Sequence, residues 1–262
     1  MSSPPRIGFP TRLLEGPLRD KIAKVASIGA SGVQLDLRYE LAPGELSDTG
    51  RRQFRNVFSE HGLAIAPALF PLRRAIADSV GIEERVAAVT AALRFAADLK
   101  APGLIIRPGS IPPADSAERT LMIELLNDLA RAGDHVGVVL TVTTGREPAV
   151  TFLEVVRAVK AGPIGINFDP AAAVMSEREP ASEIRVLHPF LKHICVRDGL
   201  RDTDGAGVEV PVGRGEVDWD EVIAALAEAE FAGWMTPDRT SGEDPAADAA
   251  RAVSYIKNVM PF

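Results

Sequence analysis

Residues 164–170 of the sequence read IGINFDP, and residues 193–198 read HICVRD. Each segment is a short apolar run that ends in polar residues, which is typical of a buried parallel strand. Residues 211–219, PVGRGEVDW, form a glycine-bounded loop that leads into a helix start, where Asp218 or Asp220 can cap the exposed N–H groups. Acid, thiol and guanidinium groups therefore follow the strands, where α/β proteins place their chemistry.

The rest of the chain repeats this unit of a strand followed by a helix. Eight strand candidates lie at residues 6–9, 33–37, 63–70, 104–106, 136–142, 164–168, 191–196 and 234–236. Such alternation predicts a parallel sheet covered by helices on both faces, and eight units favour closure of that sheet. No glycine-rich phosphate fingerprint follows the first strand, which disfavours an open doubly wound sheet. We therefore predict an α/β fold, a single (β/α)8 TIM barrel that spans residues 1–262 as one domain.

Composition narrows the classes of function. The chain has 262 residues and a formal net charge of −7, which argues against nucleic-acid binding because phosphate binding favours a basic surface. Its one cysteine excludes an internal disulfide and favours a reducing compartment. The first residues lack a signal-peptide pattern, and no apolar run approaches the roughly 20 residues of a membrane span. We expect a cytoplasmic protein with no membrane partner, and the oligomeric state stays open.

Period-two alternation along the strands predicts which side chains point into the barrel. In residues 164–168 and 191–196 the apolar set must face the surrounding helices, so the polar set faces inward. The last inward members of the strands should meet at the C-terminal mouth. These residues are Gln34, Arg107, Thr143, Asp169, Cys195, Arg197 and Asp238.

Each member of this set also has a purely structural interpretation. Cys195 alone would be an inert buried thiol, and Arg107 could tie a loop to a carboxylate. Asp169 is either part of a structural salt bridge or a working group, because a buried carboxylate needs a partner. Deeper inward positions are interpreted as core hydrogen-bonding residues; these are Thr141, Asn167 and His193. The polar loop at residues 199–208 is interpreted as a surface loop, with a lid as the alternative.

Three segments of the sequence also resemble one protein family. Residues 33–35 after Gly29, the loop at residues 211–219, and residues 233–236 are similar to segments of the xylose isomerase-like barrel superfamily of sugar-phosphate isomerases and epimerases, which is related to endonuclease IV. The resemblance covers most of the chain and implies a TIM barrel. It also implies a divalent metal, often Mn²⁺, held by Glu, Asp, His and Glu on the fifth to eighth strands, which polarises the substrate while carboxylates move a proton.

The metal ligands that the resemblance implies are mostly replaced. The fifth-strand glutamate position holds Thr143, and the seventh-strand histidine position holds Cys195. Asp169 retains the sixth-strand aspartate, but Ala172 stands where a histidine is expected three residues later. The eighth-strand glutamate is shortened to Asp238. Hard cations need several oxygen ligands, so the sequence predicts a degenerate metal site without a metal cofactor.

Two functions remain open from the sequence. The first is a sugar or sugar-phosphate isomerase- or epimerase-like protein that acts on or binds a small carbohydrate or sugar acid. The alternative is a catalytically silent carbohydrate-binding barrel, so whether the chain is an enzyme stays undecided.

The predicted catalytic residues are Asp169, Asp238 and Cys195, and the predicted substrate-binding residues are Gln34, Arg107, Thr143 and Arg197. An alternative cofactor is Zn²⁺ or Mn²⁺ at Asp169, Cys195 and Asp238. Clustered arginines at the mouth would favour an anionic ligand, unless they serve as loop ion pairs.

Overall fold

The computed structural model describes residues 5–202 and 207–260. Within them the strands of the main sheet are β1 (Arg6–Pro10), β2 (Gly32–Gln34), β3 (Ala64–Ile65), β4 (Ala68–Leu69), β5 (Gly103–Ile106), β6 (Val139–Thr143), β7 (Ile164–Phe168), β8 (Leu191–Val196) and β11 (Trp234–Pro237). Their order is β3-β2-β1-β11-β8-β7-β6-β5-β4, with parallel neighbours throughout. The predicted (β/α)8 barrel is confirmed.

Helices surround this sheet. They are α1 (Leu18–Ile28), α2 (Asp48–Glu60), α3 (Ile82–Leu99), α4 (Ala117–Val136), α5 (Ala149–Ala158), α6 (Pro170–Val174), α7 (Pro180–Leu187), α8 (Trp219–Glu228) and α9 (Pro245–Val259). Side-chain caps fix several of their starts: Ser116 accepts from Arg119 N, and Asp218 accepts from Glu221 N. Asp218, and not Asp220, is therefore the cap of α8.

The third barrel strand is interrupted where the sequence places a proline. Pro67 separates β3 from β4, since it has no N–H to contribute to a ladder. The two pieces pair with different neighbours, β3 with β2 and β4 with β5. The barrel closes there through Leu69, whose N–H donates to the Leu35 carbonyl at 2.8 Å.

Three local predictions need correction. Helix α4 continues to Val136, and β6 starts only at Val139, because Gly137 ends the helix in a left-handed conformation with φ of 73°. Helix α6 was not predicted, although Asp169 followed by Pro170 is a cap followed by a favoured first helical residue. The polar loop contains an antiparallel hairpin of β9 (Asp198–Leu200) and β10 (Val208–Val210), while residues 203–206 lie outside the described residues.

The core lies between the strands and the helices, as the alternation predicts. Ile166 and Phe168 of β7 and Ile194 and Val196 of β8 are almost completely buried against that layer. The inward positions between them carry polar side chains, so the strand ends form a polar floor for any cavity at the mouth. Among the described residues, no helix combines the length and apolar character needed to cross a bilayer.

Candidate functional site

A cavity of about 330 Å³ opens at the C-terminal ends of the barrel strands. Segments that follow five of the strands, namely β5, β6, β7, β8 and β11, supply its lining, as expected for the mouth of a TIM barrel. The lining residues are Arg107, Gly145, Arg146, Asp169, Ala172, Met175, Arg197 and Thr240. Three of these side chains are guanidinium groups and one is a carboxylate, so the lining has an excess of positive charge.

Asp169 is the most strongly held carboxylate of this cavity. Its side chain is fully buried, and its Oδ1 accepts from the N–H of Ala172, which caps α6. Its Oδ2 accepts from Arg197 at 2.6 Å and from Arg107 at 3.2 Å. The Thr144 hydroxyl accepts from the Asp169 N–H at 3.0 Å and fixes the backbone. Both carboxylate oxygens are thus engaged, which is what a buried charge requires.

The two arginines that contact Asp169 differ in exposure. Arg197 is 13% exposed and bridges two acids, since its other Nη donates to Glu209 at 2.6 Å. Arg107 is 52% exposed, and besides Asp169 it reaches the Thr144 carbonyl at 3.2 Å. Arg197 is therefore an internal counter-ion, whereas Arg107 presents much of its guanidinium group to the cavity.

Glu209 on β10 connects the hairpin to the barrel. It accepts from Arg197, from Arg239 at 3.0 Å and from the hydroxyl of Thr240. Burial acts to raise the pKa of Glu209, but the bonds from Thr240 and Arg197 hold it at about 2. Burial likewise opposes the charge of Arg197, yet Asp169 and Glu209 raise the pKa of that guanidinium above its usual value. Glu209 and Arg197 are therefore both charged across the physiological pH range.

Cys195 and Asp238 form a separate pair next to the cavity. The Cys195 Sγ lies 3.9 Å from Asp238 Oδ2, and Asp238 also pairs with Arg12 from the segment after β1. Burial, together with the carboxylates of Asp169 and Asp238, raises the pKa of the Cys195 thiol well above its usual range. The cysteine is consequently a protonated thiol and a weak donor, not a thiolate.

The inward polar residues below the mouth form one hydrogen-bonded chain. Asn167 donates through Nδ2 to Thr143 at 3.0 Å, and its Oδ1 faces His193 Nδ1 at 2.8 Å. Since that oxygen only accepts, His193 carries its proton on Nδ1 and accepts at Nε2 from Thr236 at 2.8 Å. Burial lowers the pKa of His193 to about 3, so the ring is neutral. Asn167 and His193 are thus the core hydrogen-bonding residues that the sequence predicts.

Gln34 belongs to this lower layer and not to the mouth. Its Nε2 donates to the Pro67 carbonyl at 3.2 Å and lies 3.5 Å from His193 Nε2. Gln34 is buried and, like Thr143, Cys195 and Asp238, is not among the residues that line the mouth cavity; the structure places it beside His193 and not beside Asp169. The β2 strand is short and ends at Gln34, which leaves this side chain one layer deeper than the ends of β7 and β8.

Asp198 was not singled out from the sequence, although it organises the loop at residues 211–219. Its Oδ1 accepts from the N–H groups of Gly199 and Val217, and its Oδ2 accepts from Gly213, Gly215 and the Trp219 indole at 2.8 to 3.3 Å. The residue is fully buried. The sequence signal was an acid two residues after Val196, the last residue of β8, together with the glycine-x-glycine loop, in which the glycines allow the backbone to approach the carboxylate closely. Arg12 and Glu209 had no comparable signal.

The donor set does not suit the divalent metal that the resemblance implies. Asp169 has both oxygens engaged, two guanidinium groups beside it, and Asp238 pairs with Arg12. The Thr143 oxygen accepts from Asn167, and the Cys195 sulfur is protonated. Within residues 5–202 and 207–260, no group of three His, Cys, Asp or Glu side chains is arranged to hold a metal ion. Two guanidinium groups already pair with Asp169, the one ligand of the implied set that is retained.

The family model described as xylose isomerase-like TIM barrel matches residues 22–259. A xylose isomerase domain protein from Planctomyces limnophilus superposes with a TM-score of 0.84 at 19% identity, over 98% of this chain and 96% of that one. A magnesium complex of a xylose isomerase-like protein from Mycobacterium smegmatis gives 0.78 at 18% identity, over 97% and 96%.

A third structure is D-psicose 3-epimerase with D-tagatose from Clostridium cellulolyticum H10, with a TM-score of 0.77 at 15% identity, over 97% of this chain and 99% of that one. At these identities the likeness shows the fold alone. No curated protein matches the chain by sequence.

Proposed function

Because the chain belongs to the xylose isomerase-like TIM-barrel family, we propose that it binds a small sugar acid or sugar phosphate at the mouth, and that arginines take the place of the divalent metal. The observation that carries the proposal is the position of Asp169, the one family ligand retained, between Arg107 and Arg197. A carboxylate neutralised in this way has no net charge left to attract a cation. The excess of guanidinium groups favours an anion instead.

Arg107 is the contact we assign to the ligand. Its side chain is half exposed and lines the cavity, while its bonds to Asp169 and Thr144 hold the guanidinium plane in place. A planar guanidinium group held by one carboxylate keeps N–H donors for a second, bidentate anion. The cavity volume of about 330 Å³ lies at the small end of ligand sites and suits a monosaccharide derivative.

A carbohydrate is the class of ligand that the family membership favours. One structural neighbour is a D-psicose 3-epimerase solved with D-tagatose, and another is an L-ribulose 3-epimerase. Thr240 lines the same mouth and offers a polar group that a sugar could contact. A sugar that carries a carboxylate or phosphate would satisfy both the hydroxyl partners and the positive charge.

A second candidate is metal-independent isomerisation or epimerisation by the same barrel. The specific observation is the Cys195–Asp238 pair, in which a protonated thiol lies 3.9 Å from a carboxylate and close to Asp169. In that reaction Asp238 or Asp169 would accept a proton from a sugar carbon, and Cys195 would return one. Incorporation of solvent deuterium into a bound sugar acid would support this role, provided that Cys195→Ala abolishes it. Binding of the sugar acid without any deuterium incorporation would favour the alternative, a catalytically silent barrel that only binds its ligand.

We expect anions to protect the protein against heat through Arg107. Phosphate, sulfate or a sugar acid in hundredfold excess over its Kd at the mouth should stabilise the fold by about 2.7 kcal/mol through this site, and Arg107→Ala should remove that part of the gain. Arg185→Ala is the matched control, because Arg185 is 51% exposed and pairs with an acid far from the mouth. Differential scanning fluorimetry measures both variants. Equal protection in wild type and Arg107→Ala would return Arg107 to a structural role.

We expect titration calorimetry to detect no Mn²⁺ or Mg²⁺ binding by the wild-type protein, because the nearby guanidinium groups repel the ion. Thr143→Glu, Ala172→His, Cys195→His and Asp238→Glu combined should create measurable Mn²⁺ binding, since they supply oxygen and imidazole ligands beside Asp169. Tight Mn²⁺ binding by the wild type would instead favour a metal-dependent isomerase.

A further inference from the structure

A second cavity, of about 480 Å³, lies at the opposite end of the barrel, where the strands begin. TIM-barrel interiors are ordinarily filled by branched side chains. Here the inward positions near the strand starts hold glycines, namely Gly8, Gly32, Gly103 and Gly165. A Cβ added at Gly8 would lie 2.8 Å from the Thr236 hydroxyl, and one at Gly103 would lie 3.0 Å from the Val139 carbonyl. The indole of Trp234 takes up part of the space that these glycines leave.

The orientation of Trp234 follows from its neighbours. Its Cζ3 and Cη2 atoms press against the position of a Cβ on Gly32, and its Cε3 lies 3.6 Å from that of Gly8. The six-membered ring edge therefore faces β1 and β2, and the Nε1 edge lies on the side of the ring away from them. Trp234 is 2% exposed, and its buried Nε1 has no hydrogen-bond partner among the described residues. An indole N–H without an acceptor is costly in a protein interior.

Two cations stand at the same cavity. The Arg6 guanidinium stacks 4.4 Å from the centroid of the Trp234 ring, and the stem of Lys192 packs against Gly165. Neither side chain forms an ion pair within the described ranges, residues 5–202 and 207–260. The lining contains one acid, Glu230, and the buried Thr141 hydroxyl already donates to the Val139 carbonyl at 3.4 Å. The two cations and the unpaired indole N–H thus outnumber the one carboxylate of the lining.

From this arrangement we propose that the cavity at the strand starts is a second ligand site, which binds a small oxyanion such as phosphate, sulfate or a carboxylate. An oxygen of the anion accepts from the Trp234 indole N–H, and the ammonium group of Lys192 and the guanidinium group of Arg6 balance its charge. This site shares no lining residue with the mouth cavity, so the proposal can be tested independently of the proposed sugar site.

The chain is convenient for a direct test because it has only two tryptophans. The Trp219 indole donates to Asp198, whereas the Trp234 indole is the proposed contact. Two indole N–H signals in a ¹H–¹⁵N correlation spectrum therefore report separately, and Trp234→Phe assigns them. Titration with inorganic phosphate should shift the Trp234 signal saturably. Sodium chloride at equal ionic strength should leave it in place.

Variants then separate the site from bulk ionic effects. Lys192→Ala should weaken phosphate binding about tenfold, as loss of one charge-assisted contact does, while Lys24→Ala should not change it. Arg107→Ala, which disables the mouth, should leave the Trp234 shift intact. A sugar phosphate as a second probe distinguishes a free anion from one carried on a larger molecule. A Trp234 signal that phosphate does not move, or moves equally in Lys192→Ala, would overturn the proposal and assign the cavity to water.

Discussion

Asp198→Asn is expected to destabilise the protein by about 4 kcal/mol, the largest effect of any single isosteric change in the chain. Both oxygens of Asp198 accept hydrogen bonds, two on Oδ1 and three on Oδ2. An asparagine amide can take either orientation, but each places an NH₂ group against N–H donors. The change keeps the size of the side chain, so the loss would come from hydrogen bonds and charge and not from a cavity.

Urea unfolding followed by far-UV circular dichroism measures this loss. Asp218→Ala is the control within the same loop, because Asp218 is exposed and, among the described residues, its side chain accepts from the Glu221 N–H alone. Loss of a helix cap costs about 1 kcal/mol. If Asp198→Asn proved no worse than Asp218→Ala, the loop at residues 211–219 would be held by its packing rather than by this carboxylate.

Arg197→Ala is the second large effect, also about 4 kcal/mol. It leaves two buried carboxylates, Asp169 and Glu209, each with one guanidinium partner fewer. Arg201→Ala is the control on the same hairpin, where an exposed pair with Glu216 contributes about 1 kcal/mol or less. A loss as small as that of the control would show that water reaches the two carboxylates readily.

The pH dependence gives this variant a signature. The folded-state pKa of Glu209, about 2, lies below its ordinary value of 4.5. Its contribution to stability is therefore complete above pH 4.5 and is lost as the pH falls toward 2. In Arg197→Ala this acid has lost a main cause of that depression. The stability deficit of the variant should accordingly shrink as the pH falls below 4.5, because protonation relieves the uncompensated charge. A deficit that grows with acid would contradict this account.

Local pattern was sufficient for the barrel and for the interior of its strands. Alternation places Asn167 and His193 inside, and the structure confirms that they bond to each other there. Alternation is a property of one strand, however, and says nothing about depth relative to its neighbours. For this reason Gln34 was assigned to the mouth, although β2 ends one layer lower.

Partners from distant segments could not be predicted. Asp238 pairs with Arg12, which is separated from it by almost the whole chain. Arg197 and Arg239 both pair with Glu209, which lies on a hairpin that the sequence pattern indicates only as a loop. Whether a strand-end carboxylate receives a metal or a guanidinium group depends on such long-range pairs. The sequence thus located Asp169 but left its partner open between a salt bridge and a working role.

The interruption of the third barrel strand at Pro67 affects where the closed barrel opens in local fluctuations. Pro67 has no N–H to donate to a strand ladder. Its carbonyl accepts a hydrogen bond from the side chain of Gln34. The ladders on both sides have only two residue pairs each, whereas the ladders of β6 with β5 and with β7 have four pairs each. Short ladders open at lower free energy. Amide protons near Leu35 and Leu69 should therefore exchange with solvent ahead of those in β7, so that the closed ring opens at the Pro67 junction before it opens between β5, β6 and β7.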